Sequence, residues 1–226
     1  MNDVVLIRAS MRSADLGNLS SQIARLEEAE VDGLHFDVMD GRFGPEISMG
    51  VMFVRGLRKY TKLPFDVHLW VEAPLERCID SYVDAGADCV IVHAEACQDI
   101  AATLKHIRSR GIKTGLAFNP ATNPLSLESY FSLCDEINVM TIAPDTAGQV
   151  NEKGVENLKI TAQLLAKQTR PVLLQADGAV SSKTRDLFVE SGAGSLVAGY
   201  PIFSQADFRN AVSQLRLGSS LRSGVV

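Results

Sequence analysis

The stretch Leu34-His35-Phe36-Asp37-Val38-Met39-Asp40-Gly41 decides how this chain folds. In a β-strand alternate side chains point to the same face, so His35 and Asp37 share one face and the apolar residues beside them share the other. An imidazole and a carboxylate on one face are ligands that zinc and iron sites use. The stretch therefore predicts a buried strand that carries polar chemistry at one end.

Two further stretches repeat this arrangement. Phe65-Asp66-Val67-His68-Leu69 places a second histidine on a short apolar strand, and Leu173-Leu174-Gln175-Ala176-Asp177-Gly178 ends a third apolar run on an aspartate. Two histidines and two aspartates at the ends of three strands predict a metal-assisted acid/base site. For one His-X-Asp strand alone, the alternative is a histidine held by a neighbouring acid. Four ionisable groups that converge on one buried mouth would be costly without a metal or other partners.

Length and composition fit one globular domain. The 226 residues can bury a sizeable core and fall slightly short of the ~250 residues typical of a barrel of eight strand–helix units. Hydrophobic residues make up 46% of the chain and charged residues 22%, as in ordinary globular proteins. The formal net charge of −5 and the lack of a basic cluster argue against nucleic-acid binding.

The cysteines and the start of the chain bear on the compartment. Cys78, Cys89, Cys97 and Cys134 are scattered without a Cys-X-X-Cys pair, which indicates free thiols in a reducing compartment rather than a disulfide framework. The N-terminal residues have no basic region followed by an apolar core, and no apolar run reaches ~18 residues. We expect a cytoplasmic protein that does not associate with membranes.

Short apolar runs alternate with amphipathic stretches, as expected for repeated strand–helix units. The predicted strands are Val4–Ile7, Leu34–Val38, Phe65–Val71, Cys89–His93, Thr114–Phe118, Glu136–Met140, Val172–Ala176 and Ser195–Ala198. The predicted helices are Leu16–Glu30, Val51–Tyr60, one opened by Pro74, Ile100–Arg110 closed by Gly111, a short one around Leu125–Ser132, Val155–Lys167, Ser182–Ser191 and, after a Ser204 cap, Ala206–Leu217.

Eight such units without a break in composition predict an α/β protein with a single (β/α)8 TIM barrel over residues 1–217, followed by a flexible C-terminal tail over residues 218–226. A doubly wound open sheet is the alternative, but it needs edge strands, and none of the eight strands is distinctly polar. In a barrel, residues at the C-terminal ends of strands face the active site. These residues include His35, Asp37, His68, Met140, Asp177 and Gly199.

Several motifs carry a resemblance to a known family. HFDVMDG (35–41), DVHLWVEAP (66–74), VMTIAPDTAGQ (139–149), QADGAV (175–180) and GAGSLVAGYPIF (192–203) follow one another here. Their order and spacing resemble those of the ribulose-phosphate 3-epimerase family. Together with Ile7-Arg8-Ala9-Ser10 at the first strand, the similarity runs from about Val4 to about Leu217.

The resemblance implies a metal-dependent epimerase. In that family the positions of His35, Asp37, His68 and Asp177 bind one divalent metal ion, usually zinc, with Fe²⁺, Mn²⁺ and Co²⁺ as other candidates. The two aspartates also act as the proton-transfer pair that inverts C3 of a ketose phosphate through a cis-enediolate. The default reaction interconverts D-ribulose 5-phosphate and D-xylulose 5-phosphate, and we expect a homo-oligomer.

The resemblance also implies contacts with the substrate. Met39 and Met140 would lie beneath the reacting carbons, although ordinary core filling is the alternative for both. Ser10 would hydrogen-bond a substrate hydroxyl, with capping of the following turn as its alternative. The remaining expected substrate-binding residues are His68 at the reacting centre, Gly148 in the loop after the sixth strand, and Gly178, Ala179, Gly199 and Tyr200 at the phosphate.

Departures from the family pattern leave the substrate open. Trp70 stands where the family has a third methionine, and Tyr200 replaces a serine. Ala179 replaces a glycine, which preserves the backbone donor provided that φ is negative there. The loop Pro144-Asp145-Thr146-Ala147-Gly148-Gln149 replaces Pro-Gly-Phe-Gly-Gly-Gln, so Asp145 adds a carboxylate. A paralogous epimerase for another ketose or ketose phosphate, such as a hexulose 6-phosphate, is therefore the alternative.

Other interpretations concern single residues and other classes of protein. Asp66 fits a partner of a metal ligand or a polar residue of a lower barrel layer better than a fifth ligand. His93 fits a substrate contact or a hydrogen-bonded rim histidine, and Asp40 fits a turn. A non-catalytic sugar-binding barrel is a further alternative, which the intact ligands and acids argue against. A lysine-dependent aldolase or decarboxylase would want a lysine at a strand end, where Lys62, Lys105 and Lys113 are not convincingly placed.

Overall fold

The computed structural model describes residues 4–44, 46–72, 76–143 and 148–218. Eight parallel strands form a closed barrel in sequence order. They are β1 (Leu6–Ser10), β2 (Gly33–Met39), β3 (Phe65–Trp70), β4 (Cys89–His93), β5 (Lys113–Phe118), β6 (Glu136–Met140), β7 (Leu173–Asp177) and β8 (Ser195–Ala198). Because β8 pairs with β1, the sheet has no edge strand. The predicted (β/α)8 barrel is confirmed and the open-sheet alternative is wrong.

The helices lie between consecutive strands and after the last one. They are α1 (Leu19–Glu28), α2 (Val51–Arg58), α3 (Glu76–Asp84), α4 (Ile100–Ser109), α5 (Glu152–Leu165), α6 (Arg185–Glu190), α7 (Tyr200–Phe203) and α8 (Phe208–Leu217). A 3₁₀ helix over Pro124–Leu133 joins β5 to β6, where the sequence predicts a short helix, and a 3₁₀ turn over Met11–Ser13 follows β1. Among the described helices, none is long and apolar enough to cross a membrane.

Several predicted boundaries differ from the structure. β1 ends at Ser10 rather than Ile7, because the ladder with β2 continues to the pair Ser10 and His35. The last helix is capped by Asp207, whose carboxylate accepts from the Asn210 N–H at 2.9 Å, so the predicted Ser204 cap is wrong. Ser204 instead ends α7, a short helix that the sequence pattern did not separate from the loop.

Some expectations fall on residues outside the described part of the chain. These are the helix opening at Pro74, the loop residues 144–147 including Asp145, and residues 219–226 of the expected tail.

Strand alternation sorts the side chains between the barrel interior and the helix layer. Every residue of β2 is buried, and Phe36 packs against Phe65 of β3 with ring centroids 4.7 Å apart. The parallel register pairs Asp37 with His68 and Met140 with Asp177. The same face of four strands therefore delivers the predicted site residues to one end of the barrel.

The opposite end of the barrel contains a buried ionic layer, which we call the floor cluster: Arg8, Asp66, Cys89 and Glu136. Arg8 Nε lies 3.1 Å from Asp66 Oδ2, and Arg8 Nη2 lies 3.7 Å from Glu136 Oε1. The arginine crosses β2 at Gly33, where any Cβ would collide with the guanidinium. Asp66 is thus a polar residue of a lower barrel layer, as one of the two sequence interpretations predicts.

Candidate active site and metal centre

Four predicted side chains meet at the C-terminal mouth of the barrel, and we call them the mouth cluster: His35, Asp37, His68 and Asp177. All four are buried. His35 Nε2 lies 3.3 Å from Asp37 Oδ1, 3.4 Å from Asp177 Oδ2 and 3.3 Å from His68 Nδ1. His68 Nδ1 lies 3.4 Å from Asp37 Oδ1 and 3.3 Å from Asp177 Oδ2. One atom from each residue therefore faces a common point.

These separations fit a small tetrahedral metal centre. Zinc bonded to nitrogen and oxygen at about 2.0–2.1 Å in a tetrahedron sets its ligands about 3.3–3.4 Å apart. Five separations among the four facing atoms are 3.3 or 3.4 Å. Two imidazoles with two carboxylates also form a donor set that divalent zinc and iron accept. The mouth cluster could hold a divalent metal ion.

The electrostatics of the mouth cluster favour positive charge. Burial lowers the pKa of His35, but the Asp37 and Asp177 carboxylates outweigh burial and hold it well above its usual value. Burial raises the pKa of Asp177, but hydrogen bonds from His35 and His68 outweigh that effect and bring it to about 2. The same balance, with His35 as the main partner, holds the pKa of Asp37 well below its usual value. The two carboxylates therefore remain ionised and attract a cation.

Each carboxylate is also held by one neutral donor. Ser10 Oγ donates to Asp37 Oδ2 at 3.0 Å, and Asn138 Nδ2 donates to Asp177 Oδ2 at 3.0 Å. Ser10 was expected to meet a substrate hydroxyl, and in the structure it orients an acid at the cavity wall. Sequence reasoning missed Asn138, although one polar residue inside the apolar strand Glu136–Met140 was a visible signal.

A second layer of polar side chains stands behind His68. His68 Nε2 lies 2.9 Å from His93 Nε2, and His93 Nδ1 lies 3.2 Å from Glu95 Oε2. Trp70 Nε1 donates to His68 Nδ1 at 3.0 Å. Burial lowers the pKa of His93 to about 4. Of the two interpretations for His93, the structure supports a hydrogen-bonded histidine, because it is fully buried and away from the cavity wall.

A cavity of about 820 Å³ opens in front of the two acids. His68 lies behind the acids and does not line this cavity. The remaining predicted substrate residues do line it: Ser10, Met39, Met140, Gly148, Gly178, Ala179, Gly199 and Tyr200. Trp70 packs with Met39 and Met140 in one apolar cluster on its wall.

The expected phosphate end of the cavity keeps a glycine-like backbone. Gly178 has φ of +108° and Ala179 has φ of +50°. The condition that φ be negative at Ala179 is therefore not met: the alanine adopts the left-handed conformation that glycine favours, at a cost of about 1–2 kcal/mol. Tyr200 lies at the rim with 78% of its surface exposed. Arg12 and Lys183 also line the cavity, and sequence reasoning missed both cations.

Two other sequence interpretations can be placed. Asp40 occupies a turn, where its carboxylate accepts from the backbone N–H groups of Arg42, Phe43 and Glu72, so the turn role is confirmed. Asp66, Cys89 and Glu136 also lie close enough together to form a group of metal ligands. The Arg8 guanidinium already pairs with both of these acids, so the floor cluster carries its own cation.

Comparisons with known proteins agree with this geometry. The model of the "Ribulose-phosphate 3 epimerase family" matches residues 6–203. The chain is 35% identical over 215 residues to the ribulose-phosphate 3-epimerase of Bacillus subtilis, covering 94% of this chain and 99% of that protein. It is 34% identical to the Escherichia coli K12 ribulose-phosphate 3-epimerase, covering 93% and 94% of the two chains.

Solved structures with low sequence identity share the fold alone. A 3-hexulose-6-phosphate synthase structure has a TM-score of 0.66 at 18% identity and covers 94% of this chain and 98% of that chain. A 3-keto-L-gulonate-6-phosphate decarboxylase from Vibrio cholerae has a TM-score of 0.67 at 16% identity, covering 94% and 95%.

Proposed function

This chain belongs to the ribulose-phosphate 3-epimerase family and is an isomerase that acts on carbohydrates, and we propose that it is a metal-dependent 3-epimerase with Asp37 and Asp177 as its acid/base pair. The default substrate pair is D-ribulose 5-phosphate and D-xylulose 5-phosphate. The observation that carries this proposal is the mouth cluster, in which two carboxylates and two imidazoles face one point at separations of 3.3–3.4 Å.

The chemistry of epimerisation explains the need for two acids. To invert the carbon beside a ketone, one group removes its proton on one face and another delivers a proton on the opposite face. Asp37 comes from β2, Asp177 comes from β7, and both line the cavity. One aspartate acts as base in each direction, and the pair exchange roles in the reverse reaction. The planar species between the two proton transfers is a cis-enediolate.

His35, Asp37, His68 and Asp177 would hold one divalent ion, zinc by the spacing of their atoms. When bound, such an ion stabilises the negative charge that develops on the carbonyl and hydroxyl oxygens. The protein itself orients the acids: Ser10 holds Asp37 at 3.0 Å and Asn138 holds Asp177 at 3.0 Å. A carboxylate held in one rotamer presents the same oxygen to the substrate in each turnover.

The cavity wall supports substrate roles for the remaining residues. Met39 and Met140 belong to one apolar cluster on the cavity wall, and Gly148 also lines the cavity. Backbone N–H groups around Gly178, Ala179, Gly199 and Tyr200, which line the same cavity, would meet a phosphate. Gly199 has to lack a side chain, because a Cβ there would collide with Ser13. We assign His68 to the metal alone, because it is buried behind the acids and does not line the cavity.

Solvent isotope incorporation tests this proposal. A panel of ketose phosphates and free ketoses is incubated with the enzyme in deuterium oxide and followed by NMR. Ribulose 5-phosphate is expected to give xylulose 5-phosphate with deuterium at C3, because the removed proton exchanges on the carboxylate. Conversion without deuterium at C3, or no conversion of any ketose, would contradict the proposal.

A second candidate keeps the chemistry and changes the substrate to another ketose or a hexulose 6-phosphate. Trp70 and Tyr200 both line the cavity, and the sequence adds Asp145 in the loop outside the described residues. At ~4 Å a carboxylate beside a phosphate costs on the order of 1–4 kcal/mol, equivalent to roughly tenfold to several hundredfold in affinity. The double variant Asp145→Gly with Tyr200→Ser should then improve the use of ribulose 5-phosphate. High native activity on ribulose 5-phosphate that the double variant leaves unchanged would reject this candidate.

We also propose that residues 1–217 form the catalytic unit, that residues 218–226 are a flexible tail, and that the enzyme assembles as a homo-oligomer in the cytoplasm. The four unpaired cysteines support a reducing compartment. Light scattering and activity assays of the full chain and of a chain ending at Gly218 test the first three statements. Both chains are expected to form assemblies with the same number of subunits, more than one, and to have equal activity.

A further inference from the structure

Behind the mouth cluster, three side chains form a line from the barrel interior to its rim: His68, His93 and Glu95. The two histidines are fully buried, and the Glu95 side chain is 24% exposed. We propose that His93 and Glu95 are positioning residues that fix the tautomer of His68, so that its Nδ1 lone pair faces the metal. This inference rests on the proposed function, since it assumes a metal held by the mouth cluster.

The outer end of the line is anchored on the neighbouring loop. Glu95 Oε1 accepts from the Asn119 N–H at 2.7 Å and from the Thr122 hydroxyl. These contacts leave Glu95 Oε2 for His93 Nδ1 at 3.2 Å. An ionised carboxylate can only accept hydrogen bonds, so Nδ1 of His93 carries the proton and Nε2 of the neutral ring is an acceptor.

The inner end of the line is compatible with this arrangement but does not decide it. An indole N–H can only donate, and Trp70 Nε1 donates to His68 Nδ1 at 3.0 Å, which fits a bare Nδ1. The Asp37 and Asp177 oxygens at 3.4 and 3.3 Å from the same nitrogen fit a protonated one, so the proton on His68 Nε2 is assigned from the outer end. That proton lies on the 2.9 Å contact between His68 Nε2 and His93 Nε2, where His93 offers an acceptor.

The other histidine of the mouth cluster provides an internal contrast. His35 faces the common point with Nε2, and its buried Nδ1 has no hydrogen-bond partner among the described residues. His68 therefore has a fixed tautomer, while His35 lacks this support. Hydrogen bonds to the second nitrogen of a metal-bound histidine orient the ring and increase its basicity, and removing them typically costs about 10- to 100-fold in metal affinity.

Zinc affinity is the first test, and the chain supplies its own probe. Trp70 is the single tryptophan and touches the nitrogen that zinc would take, so its fluorescence should report zinc binding to metal-free protein. His93→Leu removes the acceptor for His68 and should weaken zinc binding by about 10- to 100-fold. His93→Gln restores an acceptor oxygen and should recover most of the lost zinc affinity. Glu95→Gln keeps a weaker acceptor for His93, and its zinc affinity should lie between those of the two His93 variants.

A matched control separates this effect from general damage. His106 also pairs with a carboxylate, with its Nε2 2.9 Å from Asp80 Oδ1, but on the helix layer between α3 and α4. His106→Leu should leave zinc affinity unchanged, while His68→Ala should abolish it. Equal zinc affinity in wild type and in a folded His93→Leu variant would overturn the inference.

The tautomer itself is the second test and needs no metal. Nitrogen-15 NMR of the metal-free protein should show His68 protonated at Nε2 in wild type and in His93→Gln, and a mixture of tautomers in His93→Leu. A wild-type protein that binds no zinc yet shows the fixed tautomer would reject the metal in the proposed function and keep the hydrogen-bond line. A wild type that binds zinc and shows His68 protonated at Nδ1 without metal would reject the line and keep the metal.

Discussion

The mouth cluster and the floor cluster lie in the same barrel and differ in the origin of their positive charge. In the floor cluster the chain supplies it, because Arg8 lies 3.1 Å from Asp66 and 3.7 Å from Glu136. In the mouth cluster the described residues pair Asp37 and Asp177 with histidines and with no lysine or arginine. Two buried acids that no lysine or arginine of the described residues pairs with mark the end of the barrel that could hold a metal ion.

The acids of the two clusters also differ in the direction of their net pKa shift, although burial raises the pKa in both. Histidine hydrogen bonds outweigh burial at Asp177 and bring its pKa to about 2. At Glu136, burial and the nearby Asp66 raise the pKa to about 7, since neither carboxylate oxygen has a hydrogen-bond partner among the described residues. Proximity to positive charge is thus less effective than direct hydrogen bonds in keeping a buried acid ionised.

The largest expected effect comes from removing the acids of the mouth cluster. Asp37→Asn and Asp177→Asn should each lower the rate of epimerisation by about 10²- to 10⁴-fold, because each direction needs an acid on both faces. One variant should still exchange the C3 proton with solvent, since the remaining carboxylate can remove and return it on its own face. A coupled assay measures epimerisation and NMR measures exchange. Substantial epimerisation in either variant would mean that another residue serves one face.

A second prediction breaks the floor cluster by removing its cation. Arg8→Met should lower the free energy of unfolding by about 3–5 kcal/mol, because it leaves buried acids without their partner. Urea unfolding measures this loss. Zinc affinity of the variant that remains folded should equal that of wild type, since the mouth cluster does not use Arg8. A loss of zinc affinity without a loss of stability would show that the two clusters are not separate.

The smallest expected effect is the pH dependence of stability. The pKa of Glu136 is about 7 in the folded protein against about 4.5 in an unfolded chain, so only the folded state keeps this proton between these values. Stability contributed at Glu136 is therefore present below pH ~4.5 and is lost as pH rises to ~7. The free energy of unfolding of Glu136→Gln, relative to that of wild type, should therefore rise by on the order of 2–3 kcal/mol between pH 5 and pH 8.

Urea unfolding of both proteins at the two pH values measures this gain. Glu156→Gln is the matched control, because Glu156 is exposed on α5 and pairs with Lys153. If the wild-type and Glu136→Gln midpoints move in parallel with pH, the floor carboxylate does not retain its proton.

The sequence predicted the eight strands and the mouth cluster because both follow from local periodicity. The strands β4, β6 and β8 were predicted with the bounds that the structure has. The floor cluster was not predicted, because it depends on the register that places Arg8 over Gly33 and on pairings that join β1, β3 and β6. The line from His68 to Glu95 likewise joins strands whose distance only the closed barrel fixes.

Local details of helix capping and backbone conformation could not be predicted from the sequence, for a different reason. Asp207 and Ser204 are both good helix caps by residue type, and tertiary packing of the short helix α7 decided between them. Ala179 replaces a glycine of the family pattern, and the left-handed conformation costs an alanine about 1–2 kcal/mol. The turn after β7 imposes that conformation nevertheless, so the neighbouring structure overrides the local preference.

Closure of the barrel through β1 and β8 sets the order of events during synthesis. Leu6 pairs with Ser195, so the first strand waits for almost the whole chain before its outer edge is hydrogen-bonded. Three residues of the mouth cluster leave the ribosome early, and Asp177 follows only with β7, at a synthesis rate of about 5–20 residues per second. The chain entropy lost in closing so long a loop is offset only when β8 pairs with β1 and the barrel is complete. The four residues proposed to hold a metal ion therefore come together only in the finished chain.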